Sequence, residues 1–354
     1  MKDIFEINGI KVGSSHQPLI VAEMSGNHNQ SLERALELVD AAAAAGAHAI
    51  KLQTYTADTL TIDKKDGDFY LNDPKSLWYG LSMYELYQQA HTPWEWHKDI
   101  FKRASELGLI CFSSPFDETA VDFLEELNCP CYKIGSTENT DFNLLRKVAA
   151  TRKPIIISTG MATIADLGEM VSAVREAGCN HLVLLKCTAA YPADPADANL
   201  LTIPHMRKLL DCQVGLSDHT MGIGVALASI ALGATVIEKH FTLSRAEGGV
   251  DSAFSMEPDE FKVLVNESKV AWQSRGSIHY GTVKSENSSL ARRSLYIVKD
   301  MKEGDILTRK NLRSIRPGYG LEVKHLDALM GMTVTRTIKR GTRMSWNLVK
   351  KINS

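Results

Sequence analysis

No uninterrupted apolar stretch in this sequence approaches the ~20 residues that a bilayer-spanning helix requires, so a soluble protein is expected. Charge of one sign is also scarce. Forty Lys+Arg against forty-two Asp+Glu leave a formal charge of −2, which removes any broad electrostatic case for nucleic acid or an anionic membrane as partner. A basic site has to be local. The start, MKDIFEINGIKVG, lacks the apolar core of a signal peptide, so the cytoplasm is the expected compartment. Zinc-type cysteine spacing is missing as well. Cys111, Cys129, Cys131, Cys179, Cys187 and Cys212 fall largely in apolar segments, which suits reduced, buried thiols better than disulfides or a structural metal. Cys187 alone stands where a polar role is open.

What the 354 residues do contain is an alternation, from about residue 18 to 275, of short apolar runs with longer amphipathic stretches. That pattern builds a parallel sheet covered by helices. The expected strands are Leu19 to Met24, His48 to Thr54, Leu109 to Ser114, Cys131 to Gly135, Ile155 to Thr159, His181 to Cys187, Cys212 to Leu216 and Thr235 to His240. After the first, Leu32, Ala35, Leu36 and Val39 recur at helical spacing, and Gly46 stands where a helix ends, as do Gly108, Gly178 and Gly233. Thr163 and Asp166 have the spacing of a capping box. Eight strand–helix units over some 260 residues match a (β/α)8 barrel better than an open sheet. The catalytic barrel is expected over 1–275, with residues 55–92 as a long excursion of the kind that covers a site. A linker is expected over 276–290, then a small β-rich domain over 291–354, in which the similar phrases KDMKEGDILT and TIKRGTRMSW suggest two related hairpins.

In a (β/α)8 barrel the C-terminal strand ends converge on one mouth. Nearly every expected strand here ends in polar residues: Glu23, Asn27 and His28; Lys51 and Gln53; Ser113 and Ser114; Lys133, Ser136 and Glu138; Ser158 and Thr159; Lys186, Cys187 and Thr188; Ser217, Asp218 and His219; Glu238, Lys239 and His240. His219 and His240 follow neighbouring strands and so can face one cation, with carboxylate or water completing a site that suits Mn²⁺ or Mg²⁺ better than a closed zinc site. The bland alternative is a pair of hydrogen-bonded core imidazoles. Lys51, Lys133 and Lys186, with the mouth hydroxyls, suit a phosphorylated, carboxylated anion. A Schiff-base lysine is a competing use. Lys239, opposite in parity to His240, is expected to snorkel outward.

The motifs AEMSGNHNQS (22–31), KLQTYT (51–56), FSSPFD (112–117), YKIGSTE (132–138), IISTGMAT (156–163), KCTAAYP (186–192), GLSDHT (215–220) and IEKHFTL (237–243) resemble the sialic acid synthase family. The segment with SIRPGYG (314–320) is similar to that family's antifreeze-like C-terminal (SAF) domain. TPWEWHK (92–98), ICFSSPFDETAVDFLE (110–125), GGVDSAFSMEPDEF (248–261) and RRSLYIVKD (292–300) look more like the branch acting on a 2,4-diacetamido-2,4,6-trideoxy sugar than the one making N-acetylneuraminate. The resemblance implies a transferase that condenses phosphoenolpyruvate with an open-chain acetamido sugar and releases phosphate. It implies a divalent metal on His219 and His240, with Glu23, Glu138 and Lys133 as catalytic groups. Lys51, Ser114, Lys133, Ser136, Ser158 and Ser217 would hold phosphoenolpyruvate, while Gln53, Tyr191 and Asp251 face the sugar. Arg316 would reach the sugar site of a second subunit in a domain-exchanged homodimer. Ala189 departs from the polar residue usual in relatives, and Arg292 or Arg293 could supply charge instead. Phe254 or Tyr79 could line the deoxy end of the sugar. The alternatives are an N-acetylneuraminate or legionaminate synthase and, from another class, an inactive carbohydrate-binding scaffold.

Overall fold

The computed structural model of the chain describes residues 4–74, 76–286 and 288–351. The chain divides after Gly276 into two compact units. Asn287, within the expected linker, lies outside the described residues.

The first unit opens with an antiparallel hairpin, β1 (Phe5–Ile7) and β2 (Ile10–Val12). The sequence pattern did not announce it, because two three-residue strands carry too little alternation to register. Phe5, Ile7 and Val12 join the barrel core, and Phe5 packs on His181 at the entry to an inner strand, with ring centroids 5.1 Å apart. The barrel strands follow: β3 (Leu19–Glu23), β4 (Ala49–Thr54), β5 (Ile110–Pro115), β6 (Tyr132–Ile134), β7 (Ile155–Ser158), β8 (Leu182–Cys187), β9 (Gln213–Asp218) and β10 (Val236–His240). All pair in parallel, and β10 closes on β3 with Val236 opposite Leu19 and His240 opposite Glu23. Each strand lies beside the one before it in the closed parallel ring, with helices in the connections, so the expected (β/α)8 barrel is the observed one.

The local rules behind the helices are visible in the chain. Thr163 caps the helix Ile164–Glu176 in a full capping box with Asp166, and Gly46, Gly108, Gly178 and Gly233 all take the positive φ that ends a helix. Strand residues are buried on both faces, as parallel strands between a filled lumen and a helical layer must be.

The excursion after β4 carries the short helices Ala57–Leu60 and Met83–Ala90 before the longer Trp94–Glu106. Both of its ends are pinned by buried imidazoles. His97 donates from Nδ1 to the Pro93 carbonyl and accepts at Nε2 from Thr54 Oγ1 at 2.8 Å. His28 accepts the Gln30 N–H at Nδ1, which leaves Nε2–H to donate to Thr92 Oγ1 at 3.2 Å.

The second unit contains β11 (Ser294–Ile297) paired with β12 (Leu312–Ile315), and β13 (Thr333–Val334) paired with β14 (Val349–Lys350). The two similar phrases are not separate hairpins. Met301 of one bridges Ile338 of the other, so they pair across the unit. Leu295, Ile297, Met301, Leu307, Leu312, Val334, Ile338 and Met344 fill its own small core.

Candidate active site

Strand alternation sends one residue of each neighbouring pair at a strand end into the barrel mouth and the other toward the helices. A cavity of about 380 Å³ opens there. Glu23, Lys51, Gln53, Ser114, Lys133, Ser136, Glu138, Ser158, Tyr191, Ser217, His219, His240 and Asp251 all line it. They include every barrel residue that the resemblance makes a catalytic group, a metal ligand or a phosphoenolpyruvate ligand, together with Gln53, Tyr191 and Asp251, expected to face the sugar. Arg316 belongs to the second unit, where it is exposed and precedes Pro317.

The floor is a charge network. Lys51 Nζ lies 2.6 Å from Glu23 Oε2, 3.2 Å from Ser114 Oγ and 3.9 Å from Glu238 Oε2. Lys133 Nζ lies 3.4 Å from Glu238 Oε1, which also accepts from Ser217 Oγ at 3.0 Å. Burial, with Glu238 nearby, lifts the Glu23 carboxyl to about 7 despite Lys51. Burial acts on Glu238 too, but Lys133 and Lys51 outweigh it and hold that carboxyl below its usual range. Two neighbouring carboxyls are thus pushed apart, one able to carry a proton near neutral pH and one kept ionised. The resemblance gives Glu238 no role, but its place two residues before His240 puts both on the same face of β10, and that parity is the signal for it. Glu138 is raised by burial, and its Oε2, like Ser158 Oγ, is buried without a hydrogen-bond partner among the described residues. Gly135 makes room for it, since a Cβ there would collide with Glu138 Oε2.

On the other wall, Gln53 Nε2 donates to Glu23 Oε1 at 2.9 Å and Ser25 Oγ at 3.2 Å, and Ser25 Oγ donates to Asp251. Asp251 Oδ2 lies 3.6 Å from His240 Nδ1. The His219 and His240 rings are 5.3 Å apart between centroids, with the Tyr191 ring 4.4 Å from His219. His219 Nδ1 donates to the Thr188 carbonyl at 2.9 Å, which fixes the tautomer and turns the Nε2 lone pair toward other partners. Burial, then the nearby cations, keeps His240 neutral. No cluster of three or more His, Cys, Asp or Glu ready to hold a metal occurs among the described residues. Burial would lower His219 as well, but the Cys187 thiol beside it outweighs that and raises it above its ordinary value, so it has to shed its proton to bind a metal. Two imidazoles facing one cavity fit an open site for a hard divalent cation, with oxygens from substrate and water completing it, and not a closed zinc cage.

Several expectations change. Lys186 bonds the Cys187 carbonyl and Thr188 Oγ1 and does not line the cavity. Lys239 does not snorkel: it is buried in an ion pair with Asp218 at 2.8 Å. Tyr79 is 56% exposed and outside the cavity, and Phe254 packs behind His240 at 4.9 Å instead of lining the cavity. The apolar wall comes from Tyr55, Trp78, Leu86, Tyr87, Phe116 and Val250. Mostly supplied by the excursion, it is latched to the loop after β10 by Trp78 Nε1–H donating to the Val250 carbonyl at 3.1 Å. Asn27 and His28 are buried in structural hydrogen bonds. The cysteines are free thiols; Cys187 reaches the cavity beside His219.

A sequence profile of the NeuB family matches residues 38–280, and one of the SAF domain matches 292–350. The chain belongs to the NeuB family. Among curated NeuB-family relatives it is 41% identical to the pseudaminic acid synthase of Helicobacter pylori, over 93% of this chain and 96% of that one. It is 36% identical to the N,N'-diacetyllegionaminic acid synthase of Legionella pneumophila, over 98% of both. Among solved structures, the N-acetylneuraminic acid synthetase of Leptospira borgpetersenii superposes with a TM-score of 0.72 at 28% identity, covering 80% of this chain and 93% of that one. No helix among the described residues is long and apolar enough to cross a membrane.

Proposed function

We infer that the chain is a transferase that catalyses the pseudaminic acid synthase reaction. It condenses phosphoenolpyruvate with 2,4-diacetamido-2,4,6-trideoxy-altrose to give pseudaminic acid and phosphate. The observation that carries this reading is the convergence on one cavity of two lysines, five serines, two imidazoles and carboxyls of opposite tendency, in a chain 41% identical to curated pseudaminic acid synthases. NeuB-family synthases are metal-dependent enzymes, and His219 and His240 are the pair that would hold Mn²⁺ or Mg²⁺ here.

Lys51, Lys133, Ser114, Ser136, Ser158 and Ser217 hold the phosphate and carboxylate of phosphoenolpyruvate, the ammonium groups matching its negative charge. Gln53, Tyr191 and Asp251 face the sugar. When bound, a divalent cation polarises the aldehyde oxygen and makes its carbon more electrophilic. C3 of phosphoenolpyruvate then forms the new carbon–carbon bond, positive charge develops at C2, and Glu238, held ionised, stabilises it. Water adds at C2 and the C2–O bond to phosphate breaks. Glu23 and Glu138 accept and return the protons of these steps, Glu23 with a carboxyl tuned near neutral. The apolar wall of Tyr55, Trp78, Tyr87 and Phe116 suits a sugar with a methyl end and two acetamido methyls. By family likeness, the partner's Arg316 completes the sugar site in a domain-exchanged homodimer, and the cytoplasm is the compartment.

The test is phosphate release from phosphoenolpyruvate with Mn²⁺ and, in parallel, the diacetamido trideoxy altrose, N-acetylmannosamine or no sugar. Release with the altrose alone is expected. A preference for N-acetylmannosamine would keep the chemistry and move the chain to the N-acetylneuraminate branch. Silence in all three, with metal bound, would favour the carbohydrate-binding scaffold.

A further inference from the structure

Outside the cavity, the most heavily bonded polar cluster on the β9 and β10 strand ends is Lys239 with Asp218, whose side chains are each 1% exposed. Both lie on the helix-facing parity, one residue before His240 and His219. The β9–β10 ladder ends with the pair Lys239↔Asp218, and on the other side of β9 the last pair is Cys187↔Ser217. His219 therefore stands beyond the ladder on both sides, while His240 is still held in register with Glu23. The loop after β8 secures His219 from one direction, through Ala193 N–H to its carbonyl and through Thr188 to its ring. From the β10 direction the tie is the Lys239 ammonium. It donates to Asp218 Oδ2 at 2.8 Å and to the Thr220 carbonyl at 2.7 Å, gripping the residues on either side of His219. Asp218 Oδ1 closes the same turn by accepting from Thr220 N–H and Oγ1 at 3.0 and 2.8 Å.

We propose that Lys239 and Asp218 are positioning residues that fix the separation of the His219 and His240 imidazoles and thereby set their affinity for a divalent cation. This rests on the metal reading above. A buried ammonium with a carboxylate and a carbonyl as its partners is a rigid clip, and groups that orient metal ligands in this way typically govern affinity by about 10–100-fold.

Removing one charge leaves its buried partner unpaired and endangers the fold, so the informative variant is the neutral double, Asp218→Asn with Lys239→Met. It keeps side-chain volume and the acceptor for Thr220 but deletes the grip. Mn²⁺ affinity is read on the full chain, without substrates, from the free-ion paramagnetic resonance signal, alongside near-ultraviolet circular dichroism and the affinity for phosphoenolpyruvate alone. The expected result is a native dichroism spectrum, an unchanged phosphoenolpyruvate affinity and Mn²⁺ binding about 10–100-fold weaker. Mn²⁺ affinity equal to that of the unaltered chain overturns the proposal, as does an equal loss of both affinities, the mark of general disruption. If the double variant fails to fold, Lys239→Arg keeps the charge and displaces the clip; several-fold weaker Mn²⁺ binding supports the proposal and unchanged binding overturns it. Mn²⁺ binding to the unaltered chain that is insensitive to His219→Ala would overturn the metal reading itself, a different failure.

Discussion

Mild acid should release the excursion that walls the cavity before it attacks the rest of the barrel. His28 and His97 are fully buried at the two ends of that excursion, and burial, with neighbouring imidazoles acting on His28, pushes both down to about 4 from the ordinary 6.5. The unfolded chain therefore binds more protons than the folded one between those values. The stabilisation is complete above 6.5 and is lost as pH falls toward 4. At pH 5 the difference in proton binding amounts to about 2 kcal/mol for each imidazole, or ~4 kcal/mol for both. Geometry gives the same sign. A proton added at His28 Nδ1 would point at the Gln30 N–H that now donates to it. Urea unfolding followed by circular dichroism at pH 8 and pH 5 measures the loss, and the double variant His28→Gln/His97→Gln is the reference. Carboxyls raised by burial, Glu23 among them, titrate in the opposite sense and are common to both chains, so the difference between chains isolates the imidazoles. A difference below about 1 kcal/mol would refute the argument.

Replacing His219 or His240 by Ala should abolish metal-dependent phosphate release with the far-ultraviolet spectrum unchanged; retained turnover in either variant removes the metal assignment. Trp78→Phe keeps an aromatic ring, smaller than the indole, and loses the N–H donated to the Val250 carbonyl. A net hydrogen bond of about 1 kcal/mol should appear as a roughly fivefold rise in KM for the sugar, with KM for phosphoenolpyruvate unmoved. Inactive Arg316→Ala and His240→Ala chains should recover part of the activity when mixed, because an exchanged dimer contains one intact site. Exchange demonstrated by labelled chains without recovery would count against the shared site.

The barrel was legible because eight apolar runs separated by capped helices leave few other folds open, and most strand boundaries fell within a residue or two of the pattern. Gln213–Asp218 runs two residues further than its apolar core suggests, since the polar Ser217 still pairs with Cys187 and Glu238, and the polar Asp218 with Lys239, across the ladders. The hairpin Phe5–Val12 was invisible for the opposite reason: its stability comes from Phe5, Ile7 and Val12 entering a core built by distant strands. In the second unit the two similar phrases suggest local hairpins, and the structure pairs them with each other instead. A repeated turn sequence does not reveal whether it closes on itself or, as Met301 and Ile338 do, on its copy.

The lysines near the strand ends show what separates site from scaffold when charge alone cannot. Lys51 and Lys133 share their parity with Glu23, Ser114, Ser217 and Glu238, and all of these reach the cavity. Lys186 and Lys239 have the other parity, and neither does. Composition cannot make that distinction, and hydropathy rates all four alike. Alternation applied to every strand end places Lys186 outside and brings Glu238 in, which changes the charge that phosphoenolpyruvate would meet. With Lys186 included and Glu238 ignored, the mouth is heavily cationic and an anion binds by charge alone. With the parity respected, Lys51 and Lys133 are largely offset by an ionised Glu238 and a Glu23 poised near neutral. On the proposed function, a trianionic substrate would therefore draw on protonation of Glu23 and on the charge of a divalent cation at His219 and His240, and its binding would be coupled to proton uptake.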